Sequence, residues 1–279
     1  MRISVAVPSY NYGQYIQDCL DSLIQQDYAN YEVLIADAGS TDNSLEVIQR
    51  FCERDARFSL VSTSDRGQAD AIQKAVTVST GEIFCFLNAD DKFICRDALS
   101  AVARAFHSYG GIEIVSFQGY YLNAVGNLVR PVKMRYHPLD NISLMAHRTA
   151  VLQPATFWRR EVSMLFPLET GSHYAFDSIF FYKVYKNCSW LELAKPLAGH
   201  RLHGDNKSLR ICSERIRELV DFERLKFGDR HIRVIYISLV LIAVLALEKI
   251  PVFSIQLRRA LYFLVNSMAY FSCYRLPGI

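Results

Sequence analysis

Short apolar runs alternate with helical patterns along the first third of the chain. The runs predict strands at residues 3–7, 32–36, 58–62 and 82–87, with helices near residues 14–25, 43–54 and 68–78 between them. The last helical pattern places Ile72, Ala75 and Val76 on one face, as an amphipathic helix requires. Strands that alternate with helices are typical of β-α-β units. We therefore predict an α/β fold with a Rossmann-like, mostly parallel central sheet.

The pattern changes after about residue 110. Shorter strands are predicted at 112–117 and 120–122, and a stretch rich in Tyr and Arg follows from 130 to 160. A helix at 178–186 and a strand at 190–193 complete this part of the chain. We interpret it as a smaller second lobe that closes over the first.

Residues 211–279 are predicted to form a C-terminal helical segment. The nine Lys or Arg and six Asp or Glu between residues 201 and 233 follow a helical pattern, which is typical of a solvated face. Apolar runs at 234–247 and 260–274 are short for membrane spans, because a spanning helix needs about 20 apolar residues. Basic residues flank both runs. This favours contact with an anionic membrane surface over a helical core or an interface between copies of the chain.

Composition excludes several classes of protein. With 51% hydrophobic and 21% charged residues, the 279-residue chain is globular rather than disordered. Its net charge of only +3, without a basic stripe, argues against nucleic-acid binding. Seven cysteines without a C-x-x-C pair are typical of a reducing compartment. A strand directly follows Met1 and Arg2, so we expect a cytoplasmic location, peripheral on the inner face of the cell membrane if the C-terminal segment binds lipid.

Two acidic turns follow predicted strands. Residues 88–91 (Asn-Ala-Asp-Asp) come after the strand at 82–87, and residues 37–42 (Asp-Ala-Gly-Ser-Thr-Asp) come after the strand at 32–36. Asp and Asn are also common in ordinary surface turns, so neither turn is decisive alone. Parallel strands end at the same edge of a sheet, where α/β proteins bind ligands. We therefore expect the two turns to lie close together.

Carboxylates brought together in this way repel each other unless a cation is present. Their oxygens suit a hard divalent ion, which can in turn bind the phosphates of a nucleotide. The chain contains neither the G-x-G-x-x-G nor the G-x-x-x-x-G-K-[ST] phosphate-binding loop. We predict that a nucleotide is held instead by acidic side chains and a metal, with Asp37 accepting from the base or ribose and Asp90 ligating the ion.

An ordered series of motifs resembles family 2 glycosyltransferases of the GT-A fold, of the kind that build bacterial polysaccharides. The series consists of residues 5–11 (VAVPSYN), 20–26 (L-x-S-L-x-x-Q), 37–44 (DAGSTDNS), 65–72 (DRGQADAI) and 88–91 (NADD). The similarity covers about residues 2–210, and its order makes it specific. It implies a GT-A domain over residues 1–210, with a nucleotide half at about 1–110 and an acceptor half at about 111–210.

The resemblance also implies a donor site. The nucleotide-binding residues would be Pro8, Ser9, Tyr10, Asp37, Gly67 and Gln68. Asn88, Asp90 and Asp91 occupy the family's D-x-D motif, so Asp90, with Asp91 beside it, would bind Mg or Mn at the donor diphosphate. Asn88 contributes an amide rather than a charge.

Later motifs are similar to the family's acceptor and leaving-group segments. Residues 153–160 resemble the acceptor side, where Trp158 is a candidate contact as well as a candidate core residue. Asp177 matches the family's catalytic base, although Phe176 replaces its usual acidic neighbour; alternatively, Asp177 caps the following helix. Arg201 and His203 resemble a late motif that approaches the diphosphate, where Arg201 or a protonated His would neutralise the leaving group.

These features predict a metal-dependent, inverting glycosyltransferase. It would move a sugar from a nucleoside diphosphate sugar to a hydroxyl of a saccharide or lipid-linked saccharide, in cell-surface polysaccharide synthesis. Two other functions remain open. One is a nucleotidyltransferase acting on sugar phosphates, and the other is a non-catalytic protein that binds nucleotide sugars.

Overall fold

The computed structural model describes residues 1–62, 64–132, 151–204, 206, 213–227, 238 and 242. The chain divides into two compact units, residues 1–134 with 151–204 and residues 135–150 with 205–279. The predicted apolar segments at 234–247 and 260–274 lie outside the described residues, apart from Ser238 and Ile242. None of the helices described has the length and apolar character needed to cross a membrane.

The first unit alternates strands and helices along the chain. Its strands are β1 (Ile3–Ser9), β2 (Tyr31–Asp37), β3 (Phe58–Ser62), β4 (Ile83–Phe86), β5 (Lys92–Phe93), β6 (Ile114–Leu122), β7 (Leu128–Pro131), β8 (Thr156–Arg159) and β9 (Trp190–Arg201). Its helices are α1 (Ile16–Ile24), α2 (Ser44–Arg54), α3 (Gln68–Val78), α4 (Ala98–Ser108), α5 (Arg160–Leu165) and α6 (Phe176–Asn187), with a 3₁₀ turn at Gln153–Ala155. The described part of the second unit contains α7 (Ser213–Phe227).

The strands of the first unit form one sheet. Its order is β3-β2-β1-β4-β8-β6-β9-β5, with β7 paired to β6 beside this path. Strands β1 to β4 are parallel, which confirms the predicted β-α-β half. Strand β8 enters antiparallel between β4 and β6, and β6 runs parallel to β9. The strands after residue 110 therefore extend the sheet formed by β1 to β4.

The sequence pattern was wrong about the strands after residue 110. The two predicted strands, 112–117 and 120–122, are one continuous strand, β6. Its pairing with β9 continues through register shifts between Phe117 and Gly119. A Cβ on Gly119 would lie 2.0 Å from the carbonyl oxygen of Ala198, so only glycine allows the strands to approach here. The break in apolar character marked a close strand contact, not a turn.

Two apolar clusters cover the two faces of the sheet. Alternate residues of β1 point to opposite faces, so Val5 and Val7 join one cluster and Ala6 joins the other. The first cluster includes buried residues of α1, α2 and α4, and the second includes those of α3 and α6. Because both faces are buried, the parallel strands are continuous apolar runs in the sequence.

At the amino edge of the sheet, Glu32 of β2 is buried and hydrogen-bonded by several donors. It accepts from the Ser4 hydroxyl at 2.6 Å, the Thr80 backbone N–H at 2.6 Å and the Arg2 guanidinium at 2.9 Å. Burial raises the pKa of Glu32, but these hydrogen bonds and the charge of Arg2 outweigh burial and hold its pKa below the usual value. Glu32 of β2 thus connects Ser4 of β1 with Thr80, which lies just before β4.

Candidate active site

The turn at residues 88–91 is buried at the carboxyl end of β4. Asp91 N–H donates to the Asn88 carbonyl at 2.9 Å and closes the turn, and Ala89 is completely buried. Asp90 is 6% exposed and Asp91 is 0% exposed. An ordinary surface turn would leave such carboxylates in water, because burying a charge is costly unless it is paired. The burial therefore argues against an ordinary surface turn.

Two histidines from the end of β9 and the residues after it face this acidic pair. His203 Nε2 lies 3.0 Å from Asp90 Oδ2, and His200 Nδ1 lies 3.1 Å from Asp91 Oδ1. Burial by itself lowers the pKa of His200, but Asp91, together with the charges of Asp90 and Asp177, raises it to about 9. His200 therefore carries a positive charge at neutral pH, and Asp91 holds it in place.

Arg201, between the two histidines, makes its contacts within the protein. Its backbone N–H donates to Asp91 Oδ1 at 2.8 Å, and its Nε donates to the Asp90 carbonyl at 2.6 Å. Its two terminal nitrogens donate to Ala124 and Asp18. The resemblance implied that Arg201 approaches a diphosphate; in the structure its guanidinium lies against the backbone of the acidic turn.

The other predicted acidic turn lies at the same edge of the sheet. Asp37 is the last residue of β2 and is paired in register with Ser9, the last residue of β1. Since β1 lies between β2 and β4, Asp37 and Asp90 follow strands that are about 10 Å apart. Asp37 is itself buried, and it accepts from Gly39 N–H, Ser40 N–H and the Ser40 hydroxyl at 2.7–3.0 Å. It thus shapes its own turn.

The sequence reasoning gave no role to Asp65, which lies in the loop after β3. Its Oδ1 accepts from Gly67 N–H at 2.9 Å, but its Oδ2 is buried with no hydrogen-bond partner among the described residues. Burial, with smaller effects from Asp70 and Asp37, raises the pKa of Asp65. The Ser9 hydroxyl is likewise buried without a partner in this part of the chain. A signal was available, since Asp65 is the third acid that follows a strand at this edge.

The loop after β3 also contacts the acidic turn. Gly67 has a φ of 129°, and a Cβ there would lie 2.7 Å from the His173 ring. Gln68 Nε2 donates to Asn88 Oδ1 at 2.7 Å. The predicted residues Pro8, Ser9, Asp37, Gly67, Gln68 and Asn88 therefore lie on adjacent strand ends and loops.

Asp177 lies in the first turn of α6 and is half-buried. The helix begins at Phe176 with Ala175 as its N-cap residue, so Asp177 is not the cap, and its carboxylate accepts from the adjacent Ser178 N–H at 2.6 Å. Its charge is the smallest of the effects that raise the pKa of His200. Phe176, in place of an acid, packs with its ring centroid 6.2 Å from that of Phe86. Phe176 is thus part of the apolar cluster that contains Phe86 of β4.

The predicted acceptor segment divides between the site and the core. Gln153 donates to the Phe86 carbonyl at 2.5 Å, and its Oε1 lies 3.4 Å from Asn88 Nδ2. Trp158 is 1% exposed, donates to the Ser163 hydroxyl at 2.7 Å and pairs in register with Phe84. These contacts favour a core role for Trp158 over a sugar contact.

Asp90 and His203 suit a divalent ion whose further ligands come from a substrate, whereas Asp91 is bound to His200 and Arg201. No three His, Cys, Asp or Glu side chains within the described ranges are arranged to hold an ion alone. Asp90 Oδ2 and His203 Nε2 are 3.0 Å apart. That distance fits adjacent ligands of an octahedral ion, which at about 2.1 Å from the metal are roughly 3 Å apart. Phosphate oxygens of a nucleotide can supply further ligands.

Comparison with known proteins identifies the family. Residues 4–163, more than half of the chain, match the sequence model of glycosyl transferase family 2. The chain belongs to glycosyl transferase family 2. The family 2 protein is 37% identical to glycosyltransferase GlyG of Streptococcus pneumoniae over 90 residues, which are 32% of this chain and only 30% of GlyG.

Solved structures show the same fold. S. aureus TarS 1–349 in complex with UDP-GlcNAc matches 85% of this chain and 70% of its own, with a TM-score of 0.60 and 19% identity. Mannosyltransferase PcManGT from Pyrobaculum calidifontis, in complex with GDP-Man and Mn²⁺, matches 100% of this chain and 76% of its own, with a TM-score of 0.61 and 19% identity. The predicted GT-A fold is therefore confirmed.

Proposed function

We propose that this family 2 protein transfers a sugar from a nucleoside diphosphate sugar to an acceptor hydroxyl, with Mg²⁺ or Mn²⁺ as cofactor and with inversion at the anomeric carbon. The observation that carries the proposal is the meeting of Asp90, His203 and the His200–Asp91 pair at one sheet edge. The GDP-Man and Mn²⁺ bound to PcManGT support the choice of ligands.

The donor nucleoside binds at the ends of β1 and β2. Pro8, Ser9 and Tyr10 contact the nucleoside, and Asp37 holds the turn beside it. Because the oxygens of Asp37 already accept hydrogen bonds from its own turn, Asp65 Oδ2 and the Ser9 hydroxyl are the polar atoms that take contacts from the base or ribose. A ligand N–H or O–H would satisfy both buried atoms.

The diphosphate binds at the acidic turn. Asp90 and His203 hold the divalent ion, and Asp91 orients His200, whose positive charge lies beside the leaving group. When bound, the ion neutralises charge on the departing diphosphate. Gln68 and Asn88 hold each other and connect the nucleoside and diphosphate parts of the site.

The reaction is a single displacement. The acceptor oxygen forms a bond to the anomeric carbon while the bond from that carbon to the diphosphate breaks. Asp177 takes the proton of the acceptor hydroxyl. Attack from the side opposite the leaving group inverts the configuration of that carbon.

The acceptor is a saccharide or lipid-linked saccharide of a cell-surface polysaccharide, and residues 211–279 contact the inner face of the membrane. The basic residues that flank the apolar runs at 234–247 and 260–274 support this part. Co-sedimentation with anionic phosphatidylserine vesicles at low salt tests it. If the full chain stays in the supernatant as a dimer, the apolar runs form an interface between copies instead.

The function is tested by incubating the purified chain with UDP- and GDP-sugars, Mn²⁺ and a panel of saccharide acceptors. We expect release of nucleoside diphosphate that depends on acceptor and is abolished by EDTA, with a product of inverted anomeric configuration by NMR. Pyrophosphate release from a nucleoside triphosphate and a sugar 1-phosphate would identify a nucleotidyltransferase instead. A thermal shift with a nucleotide sugar but no turnover would indicate a non-catalytic binder.

A further inference from the structure

The Arg201 side chain is buried, and each end of its guanidinium is engaged. Nε donates to the Asp90 carbonyl at 2.6 Å, Nη1 to the Ala124 carbonyl at 3.1 Å and Nη2 to Asp18 Oδ2 at 2.5 Å. The side chain is 3% exposed. With its backbone N–H on Asp91 Oδ1, this one residue holds both members of the acidic pair.

Asp18 of α1 balances the charge of Arg201. It also accepts from Lys92 of β5 at 3.0 Å, so two basic side chains converge on one carboxylate. Burial raises the pKa of Asp18, but hydrogen bonds from Arg201 and Lys92 outweigh burial and lower it. Asp18 is therefore ionised at neutral pH, and α1 is connected through Arg201 to the acidic turn.

The turn between β6 and β7 packs against this cluster. Gly126 has a φ of 86°, and a Cβ there would lie 2.8 Å from Asp18 Oδ2, 2.9 Å from Arg201 Nη1 and 3.0 Å from Lys92 Nζ. The turn and α1 thus enclose the guanidinium from two directions. Three of the roughly five N–H donors of the guanidinium are taken by protein oxygens, and the side chain is 3% exposed, so little of it is accessible to a phosphate.

We propose that Arg201 is a positioning residue, which with Asp18 clamps the acidic turn so that Asp90 meets the divalent ion, and that it does not bind the diphosphate. The inference rests on the proposed function and adds a role for Asp18, which lies outside the donor contacts proposed above. Tyr15 strengthens the arrangement, because its ring lies 5.2 Å from the Arg201 guanidinium and 4.5 Å from the His203 ring.

The test compares Asp18→Asn, Arg201→Lys and the double variant of the full chain. Mn²⁺ affinity is measured by electron paramagnetic resonance with UDP or GDP present, and kcat and KM are measured with the best donor. A clamp predicts that Asp18→Asn weakens Mn²⁺ binding about tenfold and that the double variant is no weaker than Arg201→Lys alone, because both remove one unit. If Arg201→Lys fails to fold, the Mn²⁺ affinity of Asp18→Asn alone tests the clamp. The Asp18 side chain is 41% exposed, so we expect this variant to fold.

Asp97→Asn is the matched control. Asp97 is 37% exposed and also pairs with a basic residue of β9, Lys195, but its ion pairs are with Lys195 and Arg104 and not with Arg201. We expect its Mn²⁺ affinity to equal that of the unchanged chain. Normal Mn²⁺ binding by Asp18→Asn, with weaker UDP or GDP binding by Arg201→Lys in the absence of metal, would overturn the clamp.

The binding measurements distinguish an error in the proposed clamp from an error in the proposed function. Mn²⁺ and nucleotide binding are measured without any transfer reaction, so a chain that binds both but transfers no sugar fails only as an enzyme. An unchanged chain that binds no Mn²⁺ with either nucleotide would overturn the clamp as well, because there would be no ion to position.

Discussion

The two edges of the sheet each bury acidic side chains, but they surround them differently. At the amino edge, Glu32 accepts hydrogen bonds from a guanidinium, a hydroxyl and a backbone N–H. Each of these groups acts as a donor to the carboxylate. At the carboxyl edge, Asp90 faces the imidazole of His203, which can donate a proton or bind an ion. Burial alone therefore does not distinguish a structural acid from a functional one; the chemistry of the partner does.

We therefore expect substitutions at the two edges to have different effects. Substitution of Glu32 should change the free energy of unfolding and leave transfer intact. Substitution at the carboxyl edge should change transfer and leave folding intact, because natural sites hold acids at some cost in stability.

The largest effect is expected for Asp90→Ala and Asp177→Ala. Each should lower kcat about a thousandfold or more, since one removes the ion ligand and the other the general base. Steady-state assays with the identified donor measure this, and thermal unfolding should show a melting temperature close to that of the unchanged chain. Asp97→Ala serves as the control for removing an acid that pairs with β9. Near-normal transfer by either variant would remove that residue from its proposed role.

A smaller effect is expected at the amino edge. Glu32→Ala leaves the buried Ser4 hydroxyl and the Thr80 N–H without their acceptor, so it should lower the free energy of unfolding by about 2 kcal/mol. Urea denaturation measures this, and kcat and KM of the folded fraction should be unchanged. The control is Glu82→Ala at the same edge, where the side chain is 60% exposed and little change is expected. A loss of transfer at full stability would break the contrast between the edges.

The smallest effect concerns pH. The folded-state pKa of Glu32 lies below its ordinary value of 4.5, so its contribution to stability is complete above that value and is lost as the pH falls through the folded pKa. The unchanged chain should therefore lose stability between about pH 5 and pH 3 more steeply than Glu32→Gln. Urea unfolding of both proteins at several pH values measures the difference. If the free energy of unfolding had the same pH dependence in both proteins, the lowered pKa of Glu32 would be contradicted.

Local patterns predicted the nucleotide half well. The strand at 58–62 and the helix at 68–78 have the bounds that were expected. Apolar residues recur in each element where it packs in the core, so the periodicity shows where the element begins and ends. The start of α6 at Phe176 and the unbroken β6 were missed. In both, a contact with a distant strand replaces the local signal: the Phe86 ring against Phe176, and the Ala198 carbonyl oxygen against Gly119.

The candidate site was predictable only in part. Asp37 and Asp90 follow strands in the sequence, and parallel topology alone implies that they share an edge. The approach of His203 to Asp90 joins residues 113 positions apart. The clamp of Arg201 on Asp18 spans 183 positions. The order of motifs predicted which residues belong to the site, but not the partner of each side chain.

By itself, the sequence determined the β-α-β half, the family and the acids at its strand ends, because these follow from periodicity and from neighbours along the chain. Only the tertiary structure decided that β9 returns to the acidic turn, that Arg201 is committed to Asp18 and the turn, and that Asp65 keeps a buried oxygen without a partner among the described residues. The physical reason is that hydrogen bonds depend on atoms meeting within about 3 Å, and strand pairing across the sheet determines which atoms meet.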